Sequence, residues 1–156
     1  MRTIIIDNFL TTDECNFIIK LYKDNENHTE KFNDVFPLQQ NIFEKKASFL
    51  KNRLNKVALE YNSKIDWFQI VKWPINSKMD AHLDVAEDRT TLTSIIYLNS
   101  DYNGGQTYFE EGTIFKPRIG RAIFFNGQYY KHGVTLVKNN TRYVVAAWYK
   151  KLDPFL

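Results

Sequence analysis

Three side chains of this sequence have the types and spacing of a metal-binding site. His82 and Asp84 are separated by one residue, and His132 follows in a later strand-like segment. On a strand, side chains two positions apart point the same way, so His82 and Asp84 can face one ion. Two imidazoles and one carboxylate are the protein ligands of non-haem Fe(II) sites that keep coordination positions open. The alternative is a surface histidine beside a solvated aspartate, because His-x-Asp alone also occurs by chance.

Arg142 is the fourth residue of this candidate site. It begins an otherwise apolar segment, residues 142–149, where an inward-facing charge needs a partner because an unpaired buried charge is costly. A guanidinium group can donate two parallel hydrogen bonds to a carboxylate, and the hydroxyl of Tyr97 is a further candidate donor. Three protein ligands leave open positions that a chelating 2-oxo acid and O2 would fill, with Arg142 binding the distal carboxylate. The alternative is that Arg142 ends the strand edge and faces water.

The composition is that of a globular protein. The chain has 156 residues, of which 44% are apolar, 25% charged and 15% aromatic, and its net charge is +3. We expect one domain, residues 1–156, with a hydrophobic core and no nucleic-acid partner, because the charges are mild and interspersed. Cys15 is the only cysteine, which favours the reducing cytoplasm (the host's, for a viral protein). The first apolar run, residues 4–6, is too short for a signal peptide or a membrane span, so we expect no membrane partner.

Helical segments come first in the chain and strand-like segments follow. Residues 3–6 have a strand pattern, and Thr11 with Glu14 forms a capping box for a helix that ends near Lys23. After a polar loop to Pro37, apolar residues at steps of three and four predict a second helix over residues 38–61. Beyond it, turn residues separate about eight short strands, at residues 67–73, 79–83, 91–98, 106–109, 113–116, 121–125, 134–137 and 142–149. This order predicts an α+β chain whose β part closes as a sandwich or jelly roll.

With these residues in place, the sequence resembles the Fe(II)- and 2-oxoglutarate-dependent dioxygenases, specifically the prolyl 4-hydroxylase-like branch. The resemblance covers nearly the whole chain. The segments that carry it are Asp7-Asn8-Phe9-Leu10-Thr11, Glu14-Cys15, His82-Leu83-Asp84, Tyr97-Leu98-Asn99, Gly104-Gly105-Gln106-Thr107, Pro117, residues 120–125, His132-Gly133-Val134, Thr141-Arg142-Tyr143 and Trp148-Tyr149. It implies an α+β fold with a double-stranded β-helix (jelly-roll) core and N-terminal helices packed on the outside of one sheet.

The resemblance also implies the reagents and the residues that hold them. The cofactors would be Fe(II), the cosubstrate 2-oxoglutarate and O2, with ascorbate as a further candidate. Fe(II) is assigned to His82, Asp84 and His132. The distal carboxylate of 2-oxoglutarate is assigned to Arg142 and Tyr97.

Two further residues are assigned to the substrate by the resemblance. Trp148 matches a strand-end tryptophan that lies beside the target proline in prolyl hydroxylases, and Arg89 lies near a position where relatives hold the peptide. Three departures accompany them. Arg142 stands where collagen-type enzymes use lysine, although oxygen-sensing relatives use arginine. Trp73 and Met79 stand where relatives usually have tyrosine, and these two changes concern the substrate more than the reaction.

We therefore predict an oxygenase that couples decarboxylation of 2-oxoglutarate, to succinate and CO2, to the hydroxylation of a peptidyl proline. The expected partner is a peptide or protein substrate, and the oligomeric state stays open. Two alternatives remain: the same chemistry on a free amino acid, another side chain or a nucleobase, and a non-catalytic β-helix binding module. Residues 25–37 and 85–90 are the segments expected to cover the site.

Overall fold

Three helices and twelve β-strands make up the described part of the chain. The computed structural model describes residues 2–84 and 89–153. The helices are α1 (Thr12–Asp24), α2 (Gln40–Phe43) and α3 (Ser48–Leu59), with a 3₁₀ turn at Glu26–His28. None of these helices is long and apolar enough to cross a membrane. The strands are β1 (Ile4–Ile6), β2 (Phe36–Gln39), β3 (Ser63–Trp73), β4 (Met79–His82), β5 (Thr90–Tyr97), β6 (Asn103–Gly104), β7 (Thr107–Phe109), β8 (Ile114–Phe115), β9 (Ala122–Phe125), β10 (His132–Val134), β11 (Val137–Lys138) and β12 (Arg142–Lys151).

The strands form two antiparallel sheets that face each other. The larger sheet has six strands in the order β1-β9-β5-β12-β3-β2, and the smaller has four in the order β4-β10-β7-β8. β6 and β11 pair as a separate two-stranded ribbon. Buried side chains of the six-stranded and the four-stranded sheet share one apolar cluster, which places these two sheets face to face. The predicted α+β fold with a jelly-roll core is confirmed.

Helices α1 and α3 pack on the outer face of the six-stranded sheet. The predicted capping box is present: the backbone N–H of Glu14 donates to Thr11 Oγ1 at 3.1 Å, and the backbone N–H of Thr11 donates to Glu14 Oε1 at 2.9 Å. Arg53 of α3 joins the two helices by donating to both Glu14 carboxylate oxygens, at 2.8 and 2.9 Å. The guanidinium group of Arg53 thereby lowers the pKa of Glu14 to about 2.

The prediction of a single helix over residues 38–61 is wrong. Residues 36–39 instead form β2, which pairs with β3 from Phe36 opposite Lys72 to Gln39 opposite Gln69. The one-turn helix α2 and a break at residues 44–47 precede α3. Helical spacing did not reveal this because the hydrogen-bond partners of β2 lie far along the chain. The strand predicted over residues 134–137 is likewise divided, between β10 and β11.

β12 faces a different environment on each side of the six-stranded sheet. Tyr143, Val145, Ala147 and Tyr149 belong to the apolar cluster under the helices. The alternate residues Val144 and Ala146 belong to the cluster between the sheets. Because side chains alternate along a strand, the helices cover one face of β12 and the space between the sheets lies on the other.

Candidate active site

A cavity of about 570 Å³ lies between the two sheets. Its floor is the inner face of the six-stranded sheet, where alternate residues of each strand point inward. The smaller sheet and the loop after β4 provide the opposite wall, with the candidate metal ligands. The lining residues of the two longest strands are Trp67, Gln69, Val71 and Trp73 of β3 and Arg142, Val144, Ala146 and Trp148 of β12.

Strand pairing brings the two candidate histidine ligands together. β4 and β10 are antiparallel neighbours, and His132 lies directly opposite His82. Asp84 Oδ1 lies 3.5 Å from His82 Nε2, and Asp84 Oδ2 lies 3.3 Å from His132 Nε2. One ligand atom from each of the three residues lies within 4.8 Å of the other two. The structure therefore assembles the three residues that the sequence singled out.

Backbone carbonyl groups fix the orientation of both imidazole rings. His82 Nδ1 lies 3.0 Å from the carbonyl oxygen of Asp80, and His132 Nδ1 lies 2.8 Å from that of Tyr130. A carbonyl oxygen can only accept, so in the neutral ring the proton belongs on Nδ1. The Nε2 lone pairs of both rings are then directed at the shared space, as metal coordination requires.

Asp84 is held in place by contacts from distant parts of the chain. β4 ends at His82, so the side chain of Asp84 is not oriented by strand geometry as expected. Thr93 Oγ1 donates to Asp84 Oδ2 at 2.7 Å, and the backbone N–H of Asp84 donates to Gly127 O at 2.8 Å. A Cβ atom on Gly127 would collide with Asp84 Oδ2 and Thr93 Oγ1. Sequence reasoning missed both residues: Thr93 lies inside the strand predicted over residues 91–98, and Gly127 lies between the strands predicted over residues 121–125 and 134–137.

Local electrostatics keep the Asp84 carboxyl ionised. Burial raises its pKa, but the hydrogen bonds that the two imidazoles donate from Nε2 in their charged form, together with the bond from Thr93, outweigh burial and hold the pKa below its usual range. The same carboxylate raises the pKa of His82 against the opposing effect of desolvation. A partly buried carboxylate that retains its charge is suited to bind a cation.

The donor set and its spacing fit a divalent transition metal. Ligand atoms about 2.1 Å from one ion and at right angles to each other lie about 3 Å apart. The two Asp84–histidine distances of 3.3 and 3.5 Å are close to that value. Imidazole with carboxylate on one face is the arrangement that suits Fe(II) while leaving positions for other ligands.

Arg142 is fully buried and lines the same cavity. The alternative that it faces water is therefore wrong. Its Nε donates to Gly105 O at 2.9 Å and its Nη2 donates to Thr107 Oγ1 at 3.4 Å, whereas Nη1 has no partner among the described residues. The indole Nε1 of Trp73 is also buried without a described partner, and its ring lies 4.7 Å from the guanidinium carbon. Two buried donors without partners indicate that a ligand with acceptor atoms completes this part of the cavity.

Tyr97 lies behind Thr107 rather than at the cavity surface. It is fully buried, and its hydroxyl donates to Thr107 Oγ1 at 2.7 Å and accepts from the Thr107 backbone N–H at 3.3 Å. Its ring centroid lies 5.5 Å from the guanidinium carbon of Arg142. Thr107 is the residue of this pair that lines the cavity. A ligand bound by Arg142 would thus contact Thr107, and Tyr97 would act on it only indirectly, through its hydrogen bonds to Thr107.

Of the two predicted substrate residues, Trp148 lines the cavity and Arg89 does not. The indole ring of Trp148 stacks on that of Trp67, with centroids 4.7 Å apart and planes inclined by 20°. Arg89 Nε donates to Asp66 Oδ2 at 2.8 Å, and Lys150 Nζ lies 3.5 Å from Asp66 Oδ1. In the described residues Arg89 therefore belongs to a charged cluster beside the cavity.

One of the two predicted covering segments borders the cavity. Glu30, Lys31, Phe32, Val35 and Pro37, all within residues 25–37, line it. Phe32 and Val35 exchange backbone hydrogen bonds of 2.9 and 3.0 Å, which close a tight turn. Residues 85–88 of the other predicted segment lie outside the described residues.

Comparison with known proteins gives the same picture at the level of a family. The family model described as 2OG-Fe(II) oxygenase superfamily matches residues 68–150. Prolyl 3-hydroxylase 1 of Homo sapiens is 39% identical over 69 residues, which cover 40% of this chain and 9% of that protein. Prolyl 4-hydroxylase 2 of Arabidopsis thaliana is 24% identical over 138 residues, which cover 75% of this chain and 46% of that protein. The chain thus spans only part of the length of these relatives.

A solved structure supports the fold. It is that of an oxidoreductase of the 2OG-Fe(II) oxygenase family from Burkholderia pseudomallei, with a TM-score of 0.79. The match covers 95% of this chain and 84% of that chain, at 18% sequence identity. At this identity the likeness concerns the arrangement of the sheets and helices.

Proposed function

Because the chain belongs to the 2OG-Fe(II) oxygenase superfamily, we propose that it hydroxylates peptidyl proline with Fe(II), 2-oxoglutarate and O2. One observation carries the proposal: the His82, Asp84 and His132 set shares a cavity with the buried, incompletely paired guanidinium of Arg142. The first group suits a metal ion and the second suits a carboxylate. A binding module without catalysis would not require both in one cavity, and the complete ligand set argues against it.

The iron ligands in this proposal are His82, Asp84 and His132. They would hold Fe(II) from one side and leave the remaining positions to the cosubstrate and O2. When bound, these reagents supply the oxidising power that converts a C–H bond to C–OH and releases succinate and CO2. The protein contributes geometry: backbone carbonyls orient the imidazoles, while Thr93 and Gly127 hold the carboxylate.

Arg142 is the proposed anchor of the cosubstrate. Within the described residues, no carboxylate forms an ion pair with it, so a carboxylate of 2-oxoglutarate would supply the missing negative charge. Nη1 of Arg142 and Nε1 of Trp73 are the two donors that it would satisfy. Thr107 adds a hydroxyl at the same place, and Tyr97 positions Thr107 from behind. Trp73 thus keeps a hydrogen-bond donor where relatives have a phenol.

The substrate class rests on the relatives and on the aromatic lining of the cavity. Both prolyl 3-hydroxylase 1 and prolyl 4-hydroxylase 2 are prolyl hydroxylases by name, and the half-buried, flat indole of Trp148 lines the cavity. Arg89 is the further residue proposed to contact a bound peptide, because its partner Asp66 directly precedes the cavity-lining Trp67 in the chain. A free amino acid is the second candidate substrate, because Glu30 and Lys31 line the cavity with opposite charges that match its ammonium and carboxylate groups. The two sheets and the loops attached to them hold every proposed group, which supports the proposal of one catalytic domain over residues 1–156.

The site itself is tested by replacing one metal ligand. His82→Ala should abolish succinate formation from 2-oxoglutarate and lower the iron bound after anaerobic reconstitution, because one of three ligands is lost. His28→Ala is the matched control, since His28 is exposed and lies in the 3₁₀ turn. Unchanged succinate formation and iron content in His82→Ala would remove the basis for the proposed site.

The substrate class needs a separate experiment. Purified protein with Fe(II) and 2-oxoglutarate, with and without ascorbate, is incubated with proline-containing peptides and with free L-proline. Mass spectrometry should show the gain of one oxygen atom on a proline of the peptide, and fragment ions identify the residue. Oxygen gain on free proline alone would replace the peptide by the amino acid as substrate. If the reaction is faster or lasts longer with ascorbate, ascorbate acts as a reductant for this enzyme.

A further inference from the structure

We propose that Trp67 is a specificity-determining residue that binds a second proline, next to the target proline, in a peptide substrate. This inference rests on the proposed function and deepens it, because it requires a peptide rather than a free amino acid. It predicts that the enzyme reads proline-rich segments in preference to isolated prolines. Three independent features of the cavity carry it: a β-bulge, the distance from the cosubstrate anchor, and a pair of amide side chains.

A β-bulge at Asp66 directs Trp67 into the cavity. Trp148 of β12 lies opposite Trp67, but the next residue, Tyr149, lies opposite Ile65, so Asp66 has no directly opposite partner. A bulge inserts one residue and changes the side to which the following side chains point. Ile65 accordingly packs in the cluster under the helices, whereas Trp67 lines the cavity beside Trp148. The stacked pair is half-buried, so its indoles remain partly available to a ligand.

The stacked pair lies beyond the reach of the cosubstrate. Trp148 follows Arg142 by six residues on β12 (148 − 142), a separation of about 20 Å at about 3.3 Å per residue. A five-carbon diacid anchored at Arg142 is much shorter than this span. The indole pair therefore faces the part of the cavity that is left for the substrate. The two indoles cover each other only on their facing sides and both stay half-buried, so each keeps apolar surface for one of two neighbouring proline rings.

Gln39 and Gln69 supply the polar groups that such a segment needs. Gln39 Nε2 donates to Gln69 Oε1 at 3.1 Å, and both side chains line the cavity next to Trp67. This bond uses one donor of Gln39, and the amide group of Gln69 keeps both N–H donors for a peptide carbonyl. Proline-rich chains have no internal hydrogen bonds and dock in aromatic-lined grooves. Indole faces with adjacent amide donors match that chemistry.

The test compares two peptides within each variant. Both carry one central target proline, flanked on both sides either by prolines or by alanines, and fragment ions report hydroxylation of the central residue. The kcat/KM of the wild type should be about fivefold higher for the proline-flanked peptide than for the alanine-flanked peptide, because one aromatic contact is involved. A lower KM should account for this preference, with kcat similar for the two peptides. Trp67→Ala should abolish the preference and Trp67→Phe should restore most of it. Phe17→Ala is the control, since Phe17 is an exposed aromatic residue on α1 that contacts Phe49.

Binding provides the second readout. Isothermal titration calorimetry should show that the wild type binds the proline-flanked peptide more tightly and that Trp67→Ala binds both peptides equally. If circular dichroism shows that Trp67→Ala is unfolded, Trp67→Leu is measured in its place. A wild type that hydroxylates both peptides equally overturns the inference and leaves the proposed function intact. A preference that persists in Trp67→Ala or Trp67→Leu also overturns it. A wild type that forms succinate but neither binds nor hydroxylates either peptide overturns the inference together with the peptide substrate.

Discussion

Replacing Thr93 by valine should weaken metal binding while the protein stays folded. Thr93 is buried, with a relative exposure of 1%, and its hydroxyl donates to Asp84 Oδ2 at 2.7 Å. Valine keeps the branched shape but has no hydroxyl, so Asp84 loses one of the bonds that orient and stabilise its ionised form. A hydrogen bond to a charged group contributes about 1.5–3 kcal/mol, and loss of such an outer contact weakens metal binding about 10- to 100-fold. We therefore expect the metal affinity of Thr93→Val to be about 10- to 100-fold lower than that of the wild type.

The assay is an anaerobic titration with Fe(II), or with Co(II) read by visible absorption. Thr93→Ser keeps the hydroxyl and should bind metal within about threefold of the wild type, because the charge-assisted bond remains. The thermal unfolding of both variants establishes that they are folded. Metal affinity of Thr93→Val equal to that of the wild type, or no recovery in Thr93→Ser, would refute the role given to this hydroxyl.

Three further substitutions test other parts of the structure. Gly127→Ala should weaken metal binding more than Thr93→Val, measured by the same titration, because the added Cβ displaces the Asp84 carboxylate. Arg142→Met should raise the KM for 2-oxoglutarate about 100-fold or more. The melting temperature of the metal-free protein should stay unchanged or rise, because the substitution removes a buried charge without an acidic partner among the described residues. An unchanged KM or a large drop in melting temperature would contradict this. Glu14 has a folded pKa of about 2, below its usual 4.5, so its ion pair with Arg53 stabilises the fold above pH 4.5 and this is lost as the pH falls towards 2. Because Arg53 is partly exposed, we expect the pair to contribute about 1 kcal/mol. Glu14→Gln should lower the free energy of unfolding in urea by this amount at pH 7, and its stability should decline less steeply in acid. Equal pH profiles of stability in the two proteins would argue against this.

The residue types of the candidate site could be predicted because their chemistry is rare in the chain. Only three histidines occur, and two of them combine with Asp84 in a His-x-Asp…His pattern, although Asp84 lies beyond the end of β4 and is not oriented by the strand. Arg142 was predictable for a different reason: a charge in an apolar strand requires a partner, and the structure buries it with one unpaired nitrogen.

The features that escaped prediction depend on contacts between distant segments. The strand β2 forms because it pairs with β3 through backbone hydrogen bonds. No local sequence pattern in residues 36–39 indicates this pairing. Asp84 is oriented by Thr93 and Gly127, which come from β5 and the turn after β9. Tyr97 reaches the cavity only through Thr107. A sequence pattern shows which face of an element is apolar, but it does not show which residues of another element meet that face.

The two-sided character of β12 has an evolutionary consequence. Its helix-facing side chains Tyr143, Val145, Ala147 and Tyr149 are part of the main core, so replacing them changes the free energy of unfolding. Val144 and Ala146 belong to the smaller cluster between the sheets and also border the cavity, so a larger or smaller side chain there alters the shape offered to a ligand as well as the local packing. Selection can therefore act on every second residue of one strand and exchange one substrate for another, while the intervening residues preserve the architecture.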